Sequence, residues 1–147
     1  MLFEITREPL DPQPLVDHVR RDESGAVAVF LGVVRNHSHG RRVLYLEYDA
    51  YPAMAAKVMR QIADEIRQRW PIDDIAIRHR IGRLEIGEAS LAIAISSAHR
   101  QESFEACLHA VDRLKQIVPI WKKEVWEGGE ESIEGSLEPL PETASPG

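Results

Sequence analysis

A single cysteine, Cys107, is all the thiol that this 147-residue sequence carries. That excludes an internal disulfide, a cysteine-built metal site and a CxxC sulfur relay, and it agrees with a reducing compartment. No stretch approaches the roughly 20 apolar residues that a membrane span needs. The N-terminus, MLFEITREPLDP, has neither the basic start nor the apolar run of a signal peptide, so a cytoplasmic protein is expected. There is no GxGxxG, P-loop or GxSxG, which leaves nucleotide binding and serine hydrolysis without a foothold. Lysine and arginine are absent after Lys123, where seven of the 24 acidic residues lie, so residues 1–123 hold all 18 basic groups against the remaining 17 acidic ones. The net charge of −6 therefore belongs to the C-terminal segment. The near-neutral body can grip a small anion through local clusters but does not attract nucleic acid.

What is present reads as one domain over 1–126 and an acidic, flexible tail over 127–147, where Gly, Glu, Ser and Pro leave little to bury. LDPQPLVDHVRRDESG predicts a first helix, with Asp11 as N-cap, Pro12 at the first helical position, Leu15, Val16 and Val19 on one side, and Gly25 just past its end. The apolar, β-branched run over 25–35 predicts a central strand delivering Arg35 to the polar loop RNHSHGRR. A half-wet strand, VLYLEYDA, follows. Residues 51–70 predict a helix that places Met54, Ala55, Val58, Ile62 and Ile66 on one face and stops at Pro71. Residues 73–98 predict two or three strands punctuated by Gly82 and Gly87, the last of them central, and a final helix runs from about Arg100 to Val118. Helices interleaved with adjacent strand runs favour an α+β domain with a mixed or antiparallel sheet.

The final helix raises a chemical question. At about 100° per residue, Phe104, Cys107, Leu108, Val111, Leu114 and Val118 share an apolar stripe, and Lys115 falls inside it. Its methylenes can pack while the ammonium reaches water at the helix end. Alternatively it is a half-buried amine available for acid-base or nucleophilic work. Lys122 and Lys123 follow Pro119 in an extended segment and point to opposite sides, so one of them can join Lys115 at a common pocket. In SSAHR, His99 and Arg100 sit at a strand-to-helix junction, a place where anions are held, although such junctions are often polar for turn chemistry alone. His37 and His39 lack carboxylate or cysteine companions at ligand spacing, so no metal is expected. Cys107, on the apolar stripe, reads as a small core residue.

Four stretches in this order, GAVAVFLGVVRNHSHG, EYDAYPAMA, HRIGRLEIGE with SSAHRQESFEA, and LKQIVPIWKKE, resemble the large catalytic subunit of molybdopterin synthase over roughly residues 3–126. The resemblance implies an α/β hammerhead fold with three main helices. It implies a sulfurtransferase of molybdenum cofactor biosynthesis that converts cyclic pyranopterin monophosphate to molybdopterin by inserting two sulfurs, with no cofactor of its own. The sulfur donor is a small ubiquitin-like subunit bearing a Gly-Gly thiocarboxylate, and the large subunits form a homodimer within a heterotetramer. By position, Lys115 and Lys122 resemble the catalytic lysines. Val33, Val34 and Arg35, His99 with Arg100, and Lys122, Lys123 and Glu124 resemble substrate-contacting segments. The chain departs from its relatives in having nothing basic after Lys123. A non-catalytic scaffold that docks a ubiquitin-like protein, and an anion or nucleic-acid binder acting through RNHSHGRR, are the competing readings.

Overall fold

The computed structural model describes residues 1–133. Its main sheet is mixed. Strand β1 (Leu2–Thr6) lies parallel to β5 (Ile72–Arg80), β5 antiparallel to β7 (Ala89–Ser97), and β7 antiparallel to β2 (Ala26–Val33), in the order β1-β5-β7-β2. A second sheet runs β3 (His37–Ser38), β4 (Arg41–Ala50), β8 (Ile120–Trp126), β9 (Gly129–Ile133), and the short β6 (Gly82–Glu85) also pairs with β4. Three helices, α1 (Gln13–Val19), α2 (Pro52–Arg69) and α3 (Arg100–Ile117), complete an α+β fold as the sequence predicts.

Strand β7 is central because both of its faces are covered. Leu91, Ile93 and Ile95 join the large core with α2 and α3, whereas Ala92 and Ala94 meet Leu15 and Val19 of α1 on the other side. A strand covered twice reads as an unbroken apolar run. Cys107 is buried, and that burial pushes its thiol up to about 11, in keeping with a core role. Bidentate Arg113–Glu65 contacts of 2.8 and 2.9 Å tie α3 to α2.

Several expectations shift. Strand β2 is the edge of its sheet, not a central strand, and it leaves Val29, Leu31 and Val33 exposed; its apolar content reflects an uncovered face. The first helix is shorter than predicted. Pro12, not Asp11, occupies the N-cap and the helix ends at Val19; Asp11 stands one residue earlier, where its carboxylate accepts from Gln13 N at 3.0 Å. Gly25 serves β2 instead, since a Cβ there would collide with the carbonyl oxygen of Ala98 while its own N–H donates to Ser97 O. On α2, Met54 is exposed and Met59 takes its place inside. On α3 the buried face runs through Ser103, Ala106, Cys107, Ala110, Val111 and Leu114, leaving Phe104 and Leu108 exposed at 66% and 64%. Past Trp126 the chain continues in strand as β9, paired residue by residue with β8. The rest of the tail, 134–147, lies outside the described residues.

Candidate active site

Where the two sheets meet, a cavity of about 310 Å³ opens between the end of β2, the inner faces of β4 and β8, and the last turn of α3. That is near the lower end of the roughly 300–1,000 Å³ typical of small-molecule sites. Val33, Val34 and Arg35 line it at the end of β2, where the pairing with β7 slips by one residue and leaves Ser90 of β7 as the extra residue between the partners of Gly32 and Val33. The end of β2 is pinned on the far side: Val34 N donates to Glu88 O at 2.9 Å, and Gly87 N donates to Val34 O at 2.7 Å. Gly87, at φ 87°, makes the turn that allows this exchange. The Glu88 carboxylate is fixed in turn by the backbone N–H of Glu85 and by Arg80, each at 2.7–2.8 Å, and these contacts hold it below the usual carboxylate range. The HRIGRLEIGE stretch thus acts as scaffolding for one wall.

The opposite wall follows from strand alternation. On β8, Lys122 (4% exposed) and Glu124 (1%) point into the cavity, and on β4 so do Leu46 and Tyr48. Lys115 enters from α3, half-buried, two residues before the helix ends at Ile117. Pro119 follows the C-cap Val118, and β8 then begins at Ile120, so the chain reverses and brings Lys122 to the cavity that Lys115 lines. Behind Tyr48 stands His79, 5.1 Å away edge-on and fully enclosed. Desolvation pushes this imidazole down to about 4, only partly opposed by its hydrogen bond to Arg80. It is therefore neutral, with Nδ1–H donating to Arg80 O at 2.8 Å, and Nε2 has no hydrogen-bond partner among the described residues.

Of the residues singled out in the sequence, the cavity gathers Val33, Val34, Arg35, Lys115, Lys122 and Glu124. Lys123 is on the other face of β8, beside Glu47 (3.7 Å) and Glu130 (3.4 Å), whose hydrogen bond and charges hold its ammonium above the usual range. His99 and Arg100 stand at the start of α3, about 22 Å of helix from Lys115. Among the described residues no group of three or more His, Cys, Asp and Glu side chains is placed to hold a metal ion. Sequence reasoning missed Tyr48 and Ser90 and treated His37 only as a metal candidate, yet all three line the cavity. For Tyr48 the signal was there, in its inward phase with Leu46 on a half-wet strand.

Residues 5–117 match the family model described as MoaE protein. The chain belongs to the MoaE protein family. Among curated members, the molybdopterin synthase catalytic subunits of Halalkalibacterium halodurans and Bacillus subtilis are each 48% identical to it over 92% of this chain and 87% of theirs. Among solved members, molybdopterin synthase from Staphylococcus aureus superposes with a TM-score of 0.85 at 44% identity, covering 88% of this chain and 95% of that one. The MoaE protein from Burkholderia ambifaria gives 0.79 at 33% identity, over 97% and 93%. Family membership and the cavity converge, since the matched segment contains both the β2 end and Lys115. No described helix is long and apolar enough to cross a membrane.

Proposed function

We propose that this MoaE-family protein is the catalytic subunit of a molybdopterin synthase, a cytoplasmic sulfurtransferase acting on cyclic pyranopterin monophosphate. The observation that carries the reading is the meeting of Lys115 and Lys122 on one small cavity that also admits the β2 end with Arg35. Two ammonium-bearing side chains on a partly apolar cavity suit an anionic nucleophile and an anionic substrate at once. The nucleophile is the thiocarboxylate sulfur at the Gly-Gly terminus of a small ubiquitin-like partner. Its attack on substrate carbon breaks a C–O bond, and an ammonium of Lys115 or Lys122 neutralises or protonates the departing oxygen. Water then cleaves the thioester that results, leaving a thiol on the pterin and a carboxylate on the partner. A second partner molecule repeats the cycle for the second sulfur. The absence of a sulfur-handling cysteine motif fits a subunit whose sulfur arrives from outside.

His99 and Arg100 are assigned to substrate contact through a second copy of the chain, whereas Lys123, on the other face of β8 beside Glu47 and Glu130, has no such route to the cavity. One chain cannot bring Arg100 and Lys115 to a single small molecule across about 22 Å of helix. A homodimer can. Strand β2 is an open edge with apolar Val29, Leu31 and Val33 exposed, and its Ala26 end pairs with Ser97 beside the start of α3 whereas its Val33 end opens on the cavity. Twofold antiparallel pairing of two such edges would lay the Ala26 end of one chain beside the Val33 end of the other. His99 and Arg100 of a second copy would then approach the first copy's cavity. In this arrangement the large subunits form the centre of a heterotetramer with one small subunit at each site.

The test is Lys115→Ala. The variant should fold and bind the thiocarboxylated partner by size-exclusion chromatography, but lose turnover by about 100-fold or more. Retained turnover would remove Lys115 from the chemistry, and partner binding with no turnover even by the wild-type complex would favour a scaffold. Wild-type protein alone should be inert toward the pterin, and conversion without the partner would count against the reading.

A further inference from the structure

Strand β4 buries Val43, Leu46, Tyr48 and Ala50, and of these only Tyr48 carries a polar side-chain atom. In the ladder it stands directly opposite Lys122 of β8, and on its other side is Gly82 of β6, which has no side chain to compete for the phenol. Opposite residues of an antiparallel pair share a face, with Cβ atoms about 4.5–5.5 Å apart. Tyr48 and Lys122, both buried, accordingly line the same cavity. The neighbouring pair, Leu46 opposite Glu124, brings no oxygen from β4. The phenol ring is also held from behind. His79 packs edge-on against it at 5.1 Å and is itself fixed by the hydrogen bond from Nδ1–H to Arg80 O, so the ring rests on a rigid, uncharged support.

We infer that Tyr48 is a positioning residue for Lys122: its phenolic oxygen accepts a hydrogen bond from the Lys122 ammonium and so aims the remaining N–H groups at the reacting centre. This rests on the reading that Lys122 serves sulfur transfer in this cavity. An ammonium is a compact charge with three donors on a flexible four-carbon stem, so its direction is set by the acceptors around it. Lys115 and Arg35 line the same cavity, and their like charges push the Lys122 ammonium away from the centre that all three surround. A fixed, neutral oxygen directly across the ladder opposes that drift. It satisfies one donor of a desolvated ammonium without neutralising it, which leaves the positive charge available to the developing negative charge of the reaction. The ring's support on His79 makes this acceptor preorganised, as a site built on a strand and locked by packing is. Tyr48 touches no reacting atom in this account and acts through the lysine alone.

The test is Tyr48→Phe, made alone and together with Lys122→Ala, and assayed as the complex with the thiocarboxylated partner on the cyclic phosphate precursor. Phenylalanine keeps the ring against His79 and removes only the oxygen. In the single variant kcat should fall by about ten- to a hundred-fold, the range of one hydrogen bond to a charged group, with KM, partner binding and the melting temperature unchanged. In the slower Lys122→Ala protein, followed by mass spectrometry of the product with enzyme in excess, adding Tyr48→Phe should change the rate by less than about two-fold, because the group it acts through is gone. A residue that merely fills the core would not show this dependence on Lys122. A kcat for Tyr48→Phe within about two-fold of wild type, a loss expressed in KM instead of kcat, or losses that multiply in the double variant would overturn the proposal. Each of these results leaves the synthase reading standing, since that reading fails separately, when the wild-type complex does not convert the precursor.

Discussion

Mild acid should destabilise this protein through one side chain, His79. The ring is fully enclosed, with Tyr48 against it, and burial holds its pKa at about 4 against an ordinary 6.5. The folded state therefore resists a proton that the unfolded chain takes up readily. Because the folded pKa lies below the unfolded one, the stability is fully present above about pH 6.5 and is lost progressively as the pH falls toward 4. The whole shift corresponds to ~3 kcal/mol, and about 2 kcal/mol of it should disappear between pH 7 and pH 5. Glu65 and Glu88, whose pKa values are lowered by their arginine and backbone contacts, lose their contributions only below the ordinary carboxylate range, near pH 4. The assay is urea denaturation followed by circular dichroism at pH 7, 6 and 5, comparing the wild type with His79→Gln. Glutamine keeps an N–H able to reach Arg80 O but does not titrate. The difference between the two proteins should shrink by about 2 kcal/mol between pH 7 and pH 5. Parallel pH profiles would refute the reasoning and mean that the ring is hydrated or paired in solution. Because Tyr48 lines the cavity, turnover should fall over the same interval in the wild type as the wall behind it loosens.

Two further outcomes follow from the fold. Gly25→Ala sets a Cβ against the backbone oxygen of Ala98, where neither strand end can yield cheaply, and should destabilise the protein by about 2 kcal/mol or more in the same denaturation assay. If the active site is shared between copies, co-expression of Lys115→Ala with Arg100→Ala should restore about a quarter of wild-type turnover, since half of the randomly assembled twofold dimers would hold one intact site; a mixture no more active than either variant alone would place both residues on the same chain's chemistry.

The fold was legible where one physical rule dominated. Helix α2 announced itself by its 3.6-residue period between Pro52 and Pro71, and β7 by an apolar run that only double-sided burial sustains. Strand β2 misled because an apolar run looks the same whether it is covered by its own chain or left bare at an edge. On α3 the hydrophobic stripe pointed to Phe104 and Leu108, but the helix packs closely on β2 and β7 through small residues, Ser103, Ala106 and Ala110, that a hydrophobicity count undervalues. Strand β9 escaped notice because its pairing with β8 is made by backbone hydrogen bonds, which leave no side-chain signature. For the site, the alternation on β8 correctly separated Lys122 from Lys123, and the proline break correctly turned the chain back toward Lys115. The register slip between β2 and β7 and the clamp of the β2 end at Gly87 and Glu88 could not be read, because register depends on strand neighbours distant in sequence.

The central claim, sulfur insertion at the Lys115–Lys122 cavity, is tested most directly by mass spectrometry of the pterin product after mixing the protein with thiocarboxylated small subunit and the cyclic phosphate precursor. Two sulfur atoms should appear per product molecule, each matched by one partner terminus converted from thiocarboxylate to carboxylate, and Lys115→Ala should leave both substrates unchanged. A sulfur-free product, or full sulfur insertion by Lys115→Ala, would contradict it.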